Sequence, residues 1–165
     1  MAAEELIRNG CRHVLHFRGA KEVKSPYHDR HYEFERMMDQ HGVKTYSYEM
    51  EWNRFDYEYY RKTVADIFSR GIEFDGVFGV DQLAICCLNE ALKRGKRVPE
   101  DVKIVAYDGT FVTEMVEPRL TAVVQPVAEL AHESVRLISN LINGMTYRNK
   151  QVLLEAKLER GKTTV

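Results

Sequence analysis

The sequence predicts an α/β domain of three layers, a parallel sheet with helices packed on both faces. Three observations carry that expectation. Short apolar runs of strand length alternate with longer amphipathic runs, in the order β-α-β-α-β through the first two thirds of the chain. Successive strands are joined by helix-length segments, and a parallel connection must cross back over the sheet in this way. Two strands, Gly76–Val80 and Lys103–Tyr107, run directly into an aspartate, Asp81 and Asp108. In an open parallel sheet ligands sit at the carboxyl ends of the strands, so the two acids point at one crevice.

Helical spacing predicts a first helix from Ala2 to Asn9, stopped by Gly10, and then a strand, Arg12–Phe17. Ser25-Pro26 opens a second helix, Tyr27–Gln40, which carries Tyr32, Phe34, Met37 and Met38 and closes at Gly42. The aromatic alternation of Tyr46 and Tyr48 suits a strand near a sheet edge, Val43–Met50, followed by a turn around Trp52-Asn53-Arg54. Phe55–Ser69 has Tyr59, Tyr60, Val64, Ile67 and Phe68 in helical register and ends at Gly71. After the short buried strand Gly76–Val80 comes helix Gln82–Arg94, stopped by Gly95, and then strand Lys103–Tyr107. The alternation loosens through Thr110–Arg119 before a strand at Leu120–Val124. Val127–Asn143 is a strongly amphipathic helix, Val152–Leu158 reads as a last strand, and Gly161–Val165 as a polar tail. The sheet therefore has about five or six strands.

At 165 residues the length suits one domain, and a hydrophobic content of 44% with 30% charged residues excludes disordered, collagen-like and membrane classes. The 24 basic and 25 acidic residues give a formal net charge of -1, so no electrostatic footprint for nucleic acid is present. Cys11, Cys86 and Cys87 fit neither a disulfide framework nor a zinc spacing, which points to a reducing, cytoplasmic setting. No apolar run is long enough to span a bilayer, and no membrane partner is expected. Met1-Ala-Ala-Glu-Glu leads straight into a helix, as expected of a piece cut from a longer protein. His28 and His31 can share a helix face but lack further ligands at metal spacing, so they read as surface or packing residues. No phosphate loop, nucleophile elbow or metalloprotease motif occurs. Neither a catalytic residue nor a metal or other cofactor is expected; an enzyme would have to rest on Asp75, Asp81 and Asp108 as scattered acids.

The order Asp75-Gly-Val-Phe-Gly-Val-Asp81, a helix, Val98-Pro-Glu-Asp-Val102, a strand, Tyr107-Asp108, and Pro118-Arg-Leu-Thr-Ala-Val-Val-Gln-Pro126 resembles the sugar-sensing domain of the lactose-repressor family of transcription regulators. The resemblance covers nearly the whole chain. It implies a lobe of the periplasmic-binding-protein-like type I fold, in which two similar lobes enclose a small ligand. On this reading residues 1–126 form the carboxyl-side lobe, and 127–165 form a return segment that packs toward the first lobe. The DNA-binding domain would lie outside the chain.

The resemblance also nominates site residues. Arg30 heads Arg30-His-Tyr-Glu-Phe34, matching the family pattern of an arginine and, four residues on, an aromatic; its planar donors could grip two vicinal hydroxyls, where the plain alternative is a helix-surface arginine. Glu33 stands where the family prefers glycine. Asp108 matches the family's ligand-binding aspartate and could accept from two hydroxyls, its alternative being an Asp-Gly turn with Gly109. Val80-Asp81 replaces the family's Asn-Asp: Val80 gives up a polar ligand contact, and Asp81 reads more as a helix cap than as a ligand contact. Trp52, Arg54 and Phe55 fall where the family often places an aromatic that stacks on a sugar face; ordinary packing stays open for them. Gln125-Pro126 marks the hinge-side crossing, or else a plain strand end.

The function implied is effector sensing in a transcriptional repressor that binds a small sugar and responds at operator DNA through a domain outside this chain, as a homodimer. Half-buried aromatics between Tyr46 and Tyr60 could contribute to that pairing. The Tyr107-Asp-Gly-Thr110 run with Val80 looks most like sucrose-operon repressors. A sugar-binding protein of a membrane transporter, which shares the fold, is the alternative.

Overall fold

The computed structural model describes residues 1–19, 26–51, 54–146 and 151–165. The elements follow the expected order: α1 (Ala2–Arg8), β1 (His13–Arg18), α2 (Pro26–Gln40), β2 (Lys44–Glu49), α3 (Tyr57–Ser69), β3 (Gly76–Val80), α4 (Asp81–Lys93), β4 (Lys103–Asp108), a 3-10 turn (Phe111–Glu114), β5 (Thr121–Val124), α5 (Val127–Ile142) and β6 (Lys157–Glu159). They build a six-stranded sheet in the order β2-β1-β3-β4-β5-β6. The first five strands are parallel, and β6 joins antiparallel to β5 through Ala122↔Glu159 and Val124↔Lys157. The strand reversal at that edge departs from the all-parallel expectation.

Period-two alternation along the strands sorts their side chains into two cores. Leu15, Phe17, Val77, Ile104, Ala106 and Ala122 face one side, where they pack with Tyr60, Val64 and Ile67 of α3 and Leu83, Cys87 and Leu88 of α4. Val14, Phe78, Val105 and Val123 face the other, against Leu6 of α1 and Phe34 and Met38 of α2. These are the three layers. Fully burying each large aliphatic or aromatic side chain contributes roughly 1.5–3 kcal/mol, so both faces of the sheet are held by many small terms. Edge strand β2 keeps its Tyr46 and Tyr48 only partly buried, as the aromatic alternation predicts for an edge. Asp56 sets the start of α3, its carboxylate accepting from the Tyr59 amide at 2.7 Å.

The end of the chain differs from its sequence reading. The last strand is confined to Lys157–Glu159, and Gly161–Val165 is not a polar tail lying free: Thr163 and Thr164 are buried at 0% and 7% exposure. The threonine hydroxyls explain this, because each is matched inside the fold. Thr163 donates to the Ile104 carbonyl at 2.6 Å, its own carbonyl accepts from the Ile104 amide at 3.0 Å, and Thr164 pairs with Thr121 at 2.8 Å. Gly161 makes the approach possible; a Cβ there would stand 2.2 Å from the Arg119 carbonyl oxygen. The buried carboxylate of Glu5 on α1 then gathers Arg8 at 2.6 Å, Arg160 at 3.0 Å and the Thr164 hydroxyl at 3.0 Å. Burial works against its charge, and the hydrogen bonds from Arg160 and Thr164 outweigh that and hold its pKa below the ordinary value.

Helix α5 is the exception to the packing. It has no buried residue, and Val127, Leu130, Val135, Ile138 and Leu141 are exposed along it. Its apolar stripe is as legible as those of α3 and α4 but has no partner surface among the described residues.

Replacing Glu5 by Ala should lower stability by roughly 2 kcal/mol, because the Thr164 hydroxyl loses its acceptor and the tie between α1 and the chain end is cut. Urea denaturation checks this; an unchanged midpoint would mean that the tail is held by its threonine ladder alone.

Candidate functional site

Strands β3, β4 and β5 end in register, with Val80 beside Tyr107, Tyr107 beside Val123 and Asp108 beside Val124. This brings Val80, Tyr107, Asp108 and Gln125 together at the carboxyl edge of the sheet. Asp108 has φ 104, a left-handed backbone that costs a residue with a Cβ about 1–3 kcal/mol. Gln125 holds both ends of that residue: its side-chain amide donates to the Asp108 carboxylate at 2.5 Å and its backbone amide to the Asp108 carbonyl at 3.1 Å. Gln125 thus does more than end a strand.

Asp81 is corrected from helix cap to loop anchor. It lies inside the first turn of α4, whose cap position, Val80, makes no side-chain hydrogen bond. From there its carboxylate turns to the neighbouring loop, accepting from the Gly109 amide at 3.1 Å, the Thr110 amide at 2.7 Å and the Thr110 hydroxyl at 2.7 Å. The residue is 1% exposed, so the anchor is made out of solvent. Gly109 has φ 65, and a Cβ there would lie 2.6 Å from the Val124 Cα, so the second aspartate common in the resembled family does not fit this loop.

Arg30, on the first part of α2, reaches over the sheet end: its guanidinium carbon lies 3.7 Å above the centre of the Tyr107 ring. Below it a cavity of about 260 Å³ opens between α1, α2 and the sheet, with Arg30, Phe34, Phe78, Tyr107 and Val123 in its wall. Burial pushes the Asp108 pKa up, and the Gln125 hydrogen bond and the Arg30 charge pull against it. The edge therefore combines a cation on an aromatic plate, a carboxylate and an amide over an apolar floor, the mixture that fixes a small polar ligand.

Among the other expected residues, Trp52 lies outside the described residues. Arg54 sits 4.1 Å over the Tyr59 ring and pairs with Glu51 at 2.8 Å and Asp56 at 3.1 Å, at the start of α3. Phe55 is 77% exposed. Asp75 precedes β3 at the opposite end of the strand from Asp81, where its carboxylate accepts from the Arg12 and His13 amides at 2.9 Å. The three acids Asp75, Asp81 and Asp108 are not one cluster. Among the described residues no group of three or more His, Cys, Asp or Glu could hold a metal ion.

Two neighbours of the site are given no role of their own by the sequence. Tyr107 is visible only as the aromatic before Asp108, and its role as a plate for Arg30 needs α2 in place. His16, in the middle of β1, is fully buried and meets His31 of α2 at 2.9 Å between Nε2 and Nδ1. Its Nδ1 faces Glu35 at 3.3 Å, and the Ser47 hydroxyl donates to the same carboxylate. His31 is therefore a packing residue with a defined partner.

The periplasmic binding protein-like domain family matches residues 3–164. The chain belongs to that family. Among curated proteins it is 29% identical to the ribose operon repressor of Halalkalibacterium halodurans, over 99% of this chain and 49% of that protein. It is 27% identical to the HTH-type transcriptional regulator CelR of Thermobifida fusca, over 95% of this chain and 46% of that protein. The chain thus spans about half the length of these relatives. Among solved structures it superposes with a TM-score of 0.85 and 26% identity on a periplasmic binding protein/LacI transcriptional regulator from Alkaliphilus metalliredigens in complex with D-xylulofuranose, covering 100% of this chain and 61% of that one. The periplasmic-binding-protein-like fold, with a parallel-dominated sheet between helices, is the one the sequence predicts.

Two outcomes follow from this lobe's geometry. Asp81→Ala should release the Gly109-Thr110 loop and cost roughly 2 kcal/mol or more through orphaned amides, read as a lowered urea midpoint; equal stability would remove Asp81 from its anchoring role. Stability should also fall on acidification from pH 6.5 to 5. Burial lowers the native pKa of His16 and lowers that of His31 to about 3, whereas unfolded imidazoles protonate near 6.5. The unfolded chain then binds more protons, giving a slope of about one proton, about 1.4 kcal/mol per pH unit, from His31, with a further contribution of the same sign from His16. Asp108, with its pKa raised, acts in the opposite sense only in the carboxylate range. A flat denaturation profile above pH 5 would contradict the neutral pair.

Proposed function

We propose that this chain is the effector-binding lobe of a LacI-family transcriptional regulator, and that its ligand is a small sugar. The observation that carries this is the convergence of Arg30, Tyr107, Asp108 and Gln125 on one strand-end edge. A guanidinium and a carboxylate facing the same space can donate to and accept from neighbouring ring hydroxyls, with the partly exposed Tyr107 ring beside them. Val80 contributes an apolar wall where an amide would otherwise reach the ligand. Asp81 acts through the loop it anchors and does not itself contact the sugar. The relative named for ribose and the neighbour solved with D-xylulofuranose support the ligand class. Within that class sucrose is the effector to test first, on the Tyr107-Asp-Gly-Thr110 run with Val80.

Residues 1–126 serve as one lobe, and the segment from Val127 carries the connection toward the other. The unpartnered stripe of α5 supports this, because a helix with Val127, Leu130, Val135 and Ile138 exposed needs an apolar surface to lie on. The 49% share of the ribose repressor leaves room for such a lobe and for a DNA-reading domain. Sugar that prefers the closed arrangement of lobes shifts their equilibrium, and operator affinity follows by linkage. The assembly acts in the cytoplasm as a homodimer, with the exposed Phe55 and Tyr57 as part of the pairing surface.

Thermal shift of the full-length regulator against mono- and disaccharides tests the reading, since a ligand of the native state raises its apparent stability. One sugar should give a clear shift, and Arg30→Ala and Asp108→Asn should each weaken its binding about 10- to 100-fold, the loss of one charged hydrogen-bonding partner of roughly 1.5–3 kcal/mol. No shift with any sugar would overturn the ligand class. Hydrogen exchange supplies the lobe test: amides of α5 should be protected in the full-length protein and exchange quickly in the 165-residue chain. Equal protection would remove the second lobe as its partner.

A further inference from the structure

The polar cluster behind the site has a direction. Gly19 N–H faces Nε2 of His31 at 3.4 Å, Nδ1 of His31 faces Nε2 of His16 at 2.9 Å, and Nδ1 of His16 faces Glu35 at 3.3 Å. Gly19 can only donate and an ionised Glu35 can only accept. That leaves one consistent assignment, in which both imidazoles are neutral and both carry their proton on Nδ1. Either ring protonated on Nε2 would set two donors against each other. Ser47 donates to Glu35, and Arg18 stands 3.8 Å from the same carboxylate. The His16 bond holds the Glu35 pKa down to about 2, so the acceptor end stays ionised.

The chain of bonds ties the end of β1 to the first turns of α2, one residue from Arg30. Farther along α2, Phe34 stacks on Phe78 with ring centres 4.4 Å apart and lies 4.7 Å from the His16 ring. The stacking and the His31 bond are thus two contacts of α2 with the sheet, and Arg30 precedes His31 on the same helix with its guanidinium over Tyr107.

We infer that His31, with His16 and Glu35 behind it, is a positioning residue that sets Arg30 over the Tyr107 ring as a one-way hydrogen-bond relay. The part of this that concerns ligand affinity rests on the proposed sugar-binding role of Arg30; the part that concerns Arg30's placement does not. An asparagine at position 31 can replace the donor, because its side-chain NH2 falls where the histidine Nδ1–H lies, whereas alanine cannot.

Two NMR readouts on the 165-residue chain need no ligand. Imidazole nitrogen shifts should report His16 and His31 as neutral Nδ1–H tautomers at pH 7 and at pH 5.5. Arg30 side-chain resonances should carry the upfield ring-current shift of Tyr107, lost in His31→Ala and largely restored in His31→Asn. An Nε2–H tautomer in either ring, or an Arg30 shift untouched by His31→Ala, would overturn the relay. In the full-length protein, sugar affinity should drop about tenfold in His31→Ala and recover in His31→Asn. If affinity falls in Arg30→Ala but not in His31→Ala, the positioning role is wrong. If the Arg30 resonances respond as expected but no sugar binds any form, the relay stands and the sugar reading fails.

Discussion

The carboxylate of Asp81 is the constraint on which the site depends. The chain leaves β4 through a residue with φ 104 and at once passes a glycine with φ 65, and the amides of Gly109 and Thr110 have no backbone acceptor there. Three hydrogen bonds to one buried carboxylate supply what the backbone lacks, at 2.7 to 3.1 Å. Each such bond contributes about 0.5–1.5 kcal/mol, which in sum is comparable with the strain of about 1–3 kcal/mol at Asp108. With the loop fixed, the Asp108 side chain meets Gln125 and its charge comes within range of Arg30. Without it the strand-end acid would be one more mobile turn residue.

The same economy holds at the other end of the polypeptide. Thr121, Thr163 and Thr164 are hydroxylated residues in positions that an apolar core would give to valine, and each hydroxyl is matched. Polar satisfaction lets Thr163 and Thr164 lie buried against the sheet although their composition is that of a solvated tail. Glu5 extends the principle to charge. A buried acid is tolerated because arginines from two elements and a threonine reach it, so α1 and the chain end hold each other.

Legibility in the sequence divides along these lines. The strands and helices of the two cores were readable because their apolar periods are long and unbroken: Val77 and Phe78, or Ile104 and Val105, sort to opposite faces by alternation alone. Arg30, Asp108 and Gln125 were readable through local wording carried by a family resemblance. What was not readable depends on contacts between distant residues. Asp81 opens a helix and so looks like a cap; nothing near it in sequence says that the Gly109-Thr110 loop, 28 residues on, needs its oxygens more. His16 sits in an apolar strand with no sign that His31 and Glu35 will meet it. Thr163 and Thr164 look soluble until their partners are known. The stripe of α5 is plain in its period, yet the period does not say which surface covers it.

On the proposed reading, the state of the site would make one lobe alone a weak receptor. Arg30 already rests on Tyr107, and Asp108 already accepts from Gln125, so an entering hydroxyl must exchange for contacts that exist and gains only the difference. The pocket floor is apolar and open to solvent, and water competes at every polar group. A second lobe closing over this edge would exclude that water and strengthen the same hydrogen bonds in a lower dielectric. Binding energy would then be realised mainly in the closed arrangement. This is what a sensor requires, because a ligand shifts a conformational equilibrium only by its difference in affinity between the two states.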